Sequence, residues 1–247
     1  MTRYEKTGME QLLSIAAEMG LISQVDNVEK INVDVRTNLI DIVQGQANSV
    51  SVSAEGLVMQ KDIRVQEMEM QADRIAIDPL SAVFGDIKLS QPAGAVARLV
   101  LAEKDINRAL NSNYVRSKMT PLSLTVDGEI VTLELQQMEI HLPGEGKIKC
   151  AGKIRMNEAA NTRQLSFIAV IQPRTSYQPL LVEAFQCSPG EGISLELIIP
   201  LIQKLKELAN LPYFEMEGSA FRVKDMDVQA GSLTVYAEAY VRQIPSL

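Results

Sequence analysis

With 247 residues, 46% of them hydrophobic, the chain is long enough for one large domain or two small ones around a substantial core. Its 24 Lys and Arg against 31 Asp and Glu leave a net charge of −7. That balance argues against nucleic acid as a general partner, because neutralising phosphates takes clustered cations. Cys150 and Cys187 share no CxxC spacing and read as reduced thiols of a cytoplasmic protein. No run approaches the ~20 apolar residues of a membrane span. The first residues also lack the apolar region and cleavage site of a signal peptide, so the expectation is a soluble protein not exported by the usual route.

Thr7-Gly8-Met9-Glu10 has the spacing of a capping box. Behind it Leu12, Leu13, Ile15, Ala16 and Met19 form an apolar helical stripe, closed by Gly20. A partner helix or a membrane surface would suit that stripe. Packing on the body of the protein is the simpler expectation, since Lys and Arg are absent between Gln11 and Gln24.

From Val25 the period changes to two. Ile31, Val33 and Val35 alternate with Asn32, Asp34 and Arg36, and after a short helical turn at Leu39 to Val43 the valines 50 and 52 alternate with serines. Lys61 to Ile77 is longer than an ordinary strand and would extend ~55 Å. Its apolar phase slips at Gln66-Glu67 and again at Asp73-Arg74, as at β-bulges. One long bent strand is preferred over two with an unmarked break. Asp78-Pro79 ends it, with a helical turn through Phe84-Gly85.

Gly94 to Met119 is read as a hinge between two sheet segments. The apolar run Ala95 to Leu101 leads into a short helix with Ile106, Ala109 and Leu110 at helical spacing, stopped at Asn111-Ser112-Asn113. Strands resume at Leu122, turn at Asp127-Gly128, return through Leu133 and Leu135, and slip at Gln136-Gln137. Pro143-Gly144-Glu145-Gly146 is a further turn, and Leu165 to Ile171 is a nearly continuous apolar strand suited to a covered position. Pro173 to Gly192 reads as loop. Ser194 to Asn210 is the longest helical candidate, with Ile198, Leu201, Ile202, Leu205, Leu208 and Ala209 on its apolar face; Pro200 marks either its first turn or a kink. Strands from Phe221 to Val228 and from Leu233 to Val241 close the chain around a turn at Ala230-Gly231-Ser232.

Chemistry is sparse. His141, the only histidine, sits on a polar strand phase and reads as solvated. Gly144-Glu145-Gly146 lacks the third glycine and following helix of a phosphate loop. No metal cluster or cofactor motif is expected, and no local motif names a carboxylate pair. Lys147, Lys149, Lys153 and Arg155 share one phase of a strand whose other phase holds Ile148, Cys150, Ile154 and Met156. They read as a solvated face that resists edge aggregation, or as contacts to anionic headgroups at ~1 kcal/mol each. Met68, Met70, Met138 and Met156 lie on apolar phases, as core filling or as an adaptable lining for an apolar ligand.

The run Leu101-Ala-Glu103-Lys-Asp105-Ile-Asn107-Arg-Ala-Leu110, followed by Asn111-Ser112, resembles the helix of the LmeA-like phospholipid-binding family. Leu39 to Gly45 before Gly56-Leu57, Ile77-Asp-Pro79-Leu80 through Gly85, and Leu211-Pro-Tyr-Phe214 with the strands through Gly231 resemble other parts of it. The resemblance implies a tubular lipid-binding fold, similar to the domains of bactericidal/permeability-increasing protein, and no catalytic residues. Envelope members carry an export signal. None is seen here, which favours the cytoplasmic face of a membrane.

The expected architecture is therefore α+β: a long, curved, bulged antiparallel sheet wrapped around a helix, in one elongated domain over 1–247 on which the 1–22 helix packs. The expected function is non-enzymatic binding of phospholipid or another acyl lipid at or near a membrane. Ile198, Leu201, Leu205, Leu208, Met68 and Met70 are expected in the apolar groove, and Lys147, Lys149, Lys153 and Arg155 at headgroups or membrane. An interaction scaffold with a filled core is the alternative, and a hydrolase with carboxylates in the groove a third.

Overall fold

The computed structural model describes residues 8–38, 40–41, 44–76, 89–158, 161–187, 195–209, 214–216 and 219–241. The expected Thr7 cap and the turns at 39–43 and 77–85 fall wholly or partly outside these residues. Antiparallel strand dominates the described residues, with few helices among them. The α+β expectation holds at that level, but the strands form two sheets, not one. The chain divides into two compact units, Met1–Val100 with Tyr213–Lys224 and Val235–Leu247, and Leu101–Pro212 with Asp225–Thr234. The break after Val100 falls within the stretch read as a hinge. Each unit is described by itself.

In the first unit α1 (Gly8–Ile22) precedes β1 (Lys30–Arg36), β2 (Gln46–Met59), β3 (Ile63–Ala76) and β4 (Ala93–Ala102). These neighbour one another in order in a seven-stranded sheet, β1-β2-β3-β4-β12-β11-β10, where β10, β11 and β12 are Phe214–Met216, Ser219–Gln229 and Ser232–Val241. Val33, Val35 and Val52 form a buried cluster on one face, against which Leu13, Ala17 and Leu21 of α1 pack. β2 and β3 keep a single register from Gln46↔Ala76 to Met59↔Ile63. The two expected bulges of β3 are thus kinks without an inserted residue. Gly56 (φ +63°) falls between the Glu55↔Glu67 and Leu57↔Val65 pairs, and Arg74 (φ +53°) lies in the second slip.

Leu13 of the stripe read on α1 packs inward, but most of that stripe faces the other way. Leu12, Ile15 and Met19 are 69%, 56% and 67% exposed, while Glu10 and Ser14 are buried. The reason is the free edge of β1: Ser14 Oγ accepts the Val35 N–H at 3.1 Å and Glu10 Oε1 the Thr37 N–H at 3.2 Å. Alternate strand amides point the same way, and leaving two such donors buried and unbonded would cost about 1–3 kcal/mol each.

In the second unit α2 (Glu103–Leu110) and α3 (Asn113–Lys118, capped by Ser112) precede β5 (Leu122–Val126), β6 (Glu129–Gly144), β7 (Lys147–Glu158), β8 (Asn161–Gln172) and β9 (Leu181–Cys187), an antiparallel five-stranded sheet in that order. α4 (Leu195–Ala209) follows. The expected slip at Gln136-Gln137 is a true bulge, a register shift between Leu135 and Gln137; a second lies between His141 and Gly144. β9 replaces part of the loop read from Pro173. β8 is covered on one face only, since Leu165 and Ala169 are buried but Ile168 is 56% exposed.

Candidate functional site

Five aliphatic side chains from β5 to β8 (Leu124, Val131, Leu133, Met156 and Leu165) form a buried cluster in the second unit, closed by Leu197 and Leu201 of α4, each 4% exposed. Leu122, Val126, Ile154 and Phe185 pack around it. The seam is purely apolar, suited to methylenes and to nothing that needs a hydrogen bond. Leu201 is buried on the helix face read as apolar, and Ile198 is half-buried. The side chains of Leu205 and Leu208 lie outside the described residues. Leu197, one turn before Leu201, was not singled out, although its i, i+4 spacing to Leu201 marks the same face. Met68 and Met70 belong to the first unit, half-buried against the Val33–Val35–Val52 cluster beneath α1. Pro200 lies inside α4, which settles its position in favour of the helix interior.

The four β7 cations do share a face, the opposite one from Met156 in the same strand. One ligand therefore cannot touch Leu201 and these cations through the sheet. Lys147 pairs with Glu183 at 3.0 Å and Arg155 with Glu134 at 3.4 Å. Lys149 and Lys153 are exposed, and neither forms an ion pair with a described residue. Lys153 borders a shallow groove of about 370 Å³ with Gln137, Glu139, Ala151, Ser166 and Ile168. Phe167 and Gly152 also line it; the Phe167 ring stacks on Phe185 at 5.7 Å and lies over Gly152, where a Cβ would sit 2.6 Å from it. A second groove, about 500 Å³, crosses the polar face of the first unit at Asp34, Glu69, Arg98, Lys224 and Glu238. Its charges neutralise one another through Arg98–Glu69 and Lys224–Glu238, so it presents little net attraction to a charged ligand.

A profile of the LmeA-like phospholipid-binding family matches residues 5–238, nearly the whole chain. The chain belongs to that family. Searches of curated proteins and of solved structures found no match.

In this LmeA-like chain the residues that carried the resemblance have a structural task. β5 pairs with β6 only as far as Leu133, leaving an open edge beyond. Along it Glu103 Oε2 accepts the Leu142 N–H at 2.7 Å, and Asn107 both accepts from Ile140 N and donates to Ile140 O at 2.7 Å. Asn111 donates to Met138 O at 3.4 Å, and Arg116 to Gln136 O. Glu103 is held below its ordinary carboxylate value chiefly by the Leu142 N–H, with His141 Nδ1 at 3.1 Å assisting. His141 thus has a carboxylate partner instead of water alone. Asp105, 2% exposed, pairs with Arg108. Burial pushes the Cys150 thiol up to about 11, so it stays protonated and inert near neutral pH. Among the described residues, no three His, Cys, Asp or Glu side chains gather as a metal site.

Proposed function

We propose that the protein is a non-enzymatic phospholipid-binding protein that works at the cytoplasmic face of a membrane, its five-stranded sheet wrapping α4 so that an acyl chain lies along the Leu197–Leu201 face. The observation that carries this reading is the wholly aliphatic seam between α4 and β5–β8, in a chain of a phospholipid-binding family. Each buried methylene of a bound chain would contribute about 0.8 kcal/mol. Lys149 and Lys153, exposed beside Ile168, would meet anionic headgroups from the other face of the sheet. The buried carboxylates bear on catalysis: Glu10 accepts a strand amide and Asp105 pairs with Arg108, which supports binding over hydrolysis.

A filled-core scaffold is the second reading, favoured by the closure of the seam at Leu197 and Leu201. Native mass spectrometry of the purified protein, with organic extraction of what it releases, separates the two. The lipid reading expects near one phospholipid per chain, abolished by Leu201→Asp in a folded variant. A clean apo mass that persists after incubation with mixed liposomes establishes the scaffold instead.

A further inference from the structure

We infer that α1 is a bilayer-docking element that inserts its outward face among uncharged lipids by apolar contact alone. The inference deepens the proposed membrane role and rests on it for the choice of lipid as partner. α1 is apolar on two faces. One, Leu13, Ala17 and Leu21, packs on the β1–β2 cluster, and the other, Met9, Leu12, Ile15, Met19 and Ile22, is 43–69% exposed. An apolar helix face belongs against apolar surroundings, and the packed face of α1 leaves the outward one without them. Rotation cannot resolve the mismatch, because Ser14 and Glu10 are bonded to the amides of Val35 and Thr37.

Charge and size decide the occupant. The outward face carries no Lys, Arg, Asp or Glu, so it offers nothing to an acidic or basic partner or to anionic headgroups. From Met9 to Ile22 it spans about 20 Å, and at one helix width, about 10 Å, it covers roughly 200 Å² in projection. A stable dimer interface takes about 20–30 residues from each partner, so the five large side chains of this face by themselves fall short of a second copy. A bilayer sets no such minimum. An interfacial helix sinks its apolar side about 5–10 Å and gains by each side chain inserted.

The test is co-sedimentation of the full chain with pure phosphatidylcholine vesicles at low and high salt, beside the Leu12→Glu/Ile15→Glu/Met19→Glu variant. All three positions are more than half exposed, and circular dichroism and native mass spectrometry of both proteins check folding and lipid content. The expected result is vesicle binding indifferent to salt, weakened about 100-fold or more in the variant. The chain has no tryptophan, so Leu12→Trp adds a sole reporter whose emission should shift to the blue on the same vesicles. Equal binding by wild type and variant, or no binding by wild type to uncharged vesicles, overturns the inference. So does a wild-type dimer that the substitutions dissociate, which would make a second copy the occupant. Vesicle binding that depends on α1 in a protein without bound lipid supports docking and removes the ligand reading. Bound lipid with vesicle binding indifferent to α1 does the reverse.

Discussion

α1 on β1 and α2 on β6 solve the same problem in the two units, and they differ in what is left over. Each helix lies along an open strand edge and satisfies it with side chains. In α1 the rungs are Glu10 and Ser14 on Thr37 and Val35. In α2 they are Glu103, Asn107 and Asn111 on Leu142, Ile140 and Met138. The spacing works because four helical residues rise about 6 Å while two strand residues rise about 6.6 Å. Side chains at i and i+4 therefore match alternate backbone groups, in a helix running antiparallel to the strand. Both devices also deny the edge to another chain. The leftover faces differ: α2 turns Lys104 and Arg108 outward, and α1 turns out five large apolar side chains. Capping an edge fixes a helix's rotation, and the sequence of its other face then decides whether that face needs a further partner.

The strongest way to break this comparison is Asn107→Leu, which removes both bonds to Ile140 and leaves its N–H and C=O against an apolar side chain. A loss of about 2–4 kcal/mol is expected in urea unfolding; a change under 0.5 kcal/mol would mean that water serves the β6 edge equally well. Ser14→Ala removes one rung of the smaller ladder and should cost about 1–2 kcal/mol, with faster hydrogen exchange at the Val35 amide as its local signature. Unchanged exchange there would show that the Ser14 bond does not help hold α1 on β1. Glu103 gives a pH-dependent difference. Its folded value lies below the ordinary 4.5, so its stabilisation is present above that value and is lost as pH falls through the folded value. Glu103→Gln should therefore be less stable than wild type near neutral pH, and the gap should close in acid. A gap constant with pH would put its origin in packing. Smallest of all is Leu12→Ser on the leftover face of α1, where unfolding free energy should move by less than about 0.5 kcal/mol.

Much of the sheet was legible because alternation is local. Val33 and Val35 are buried where the period of two put them, Asp127-Gly128 and Glu145-Gly146 turn with both residues at positive φ, and the doubled glutamines at 136 and 137 mark a real bulge. β9 was missed because Leu181–Cys187 is short, lies between Pro179 and Pro189, and takes its support from pairing with β8 across a turn, nine to twenty positions back in the chain. Leu201 was legible at the candidate site from helical spacing. The opposition of Leu201 and the β7 cations across one sheet was not, since it depends on which face α4 covers.

The amino-acid order by itself determined where most of the strands and helices run, which phase of most strands is apolar, and that the chain resembles a phospholipid-binding family. Periodicity is a property of neighbours along the chain, so those conclusions needed no fold. Tertiary structure alone decided which side of α1 turns inward. Glu10 and Ser14 look like surface residues and Leu12, Ile15 and Met19 like core until β1 arrives with two open amides. A directional hydrogen bond to a buried donor then outweighs non-directional burial, because apolar side chains can find a partner elsewhere and an orphaned amide cannot.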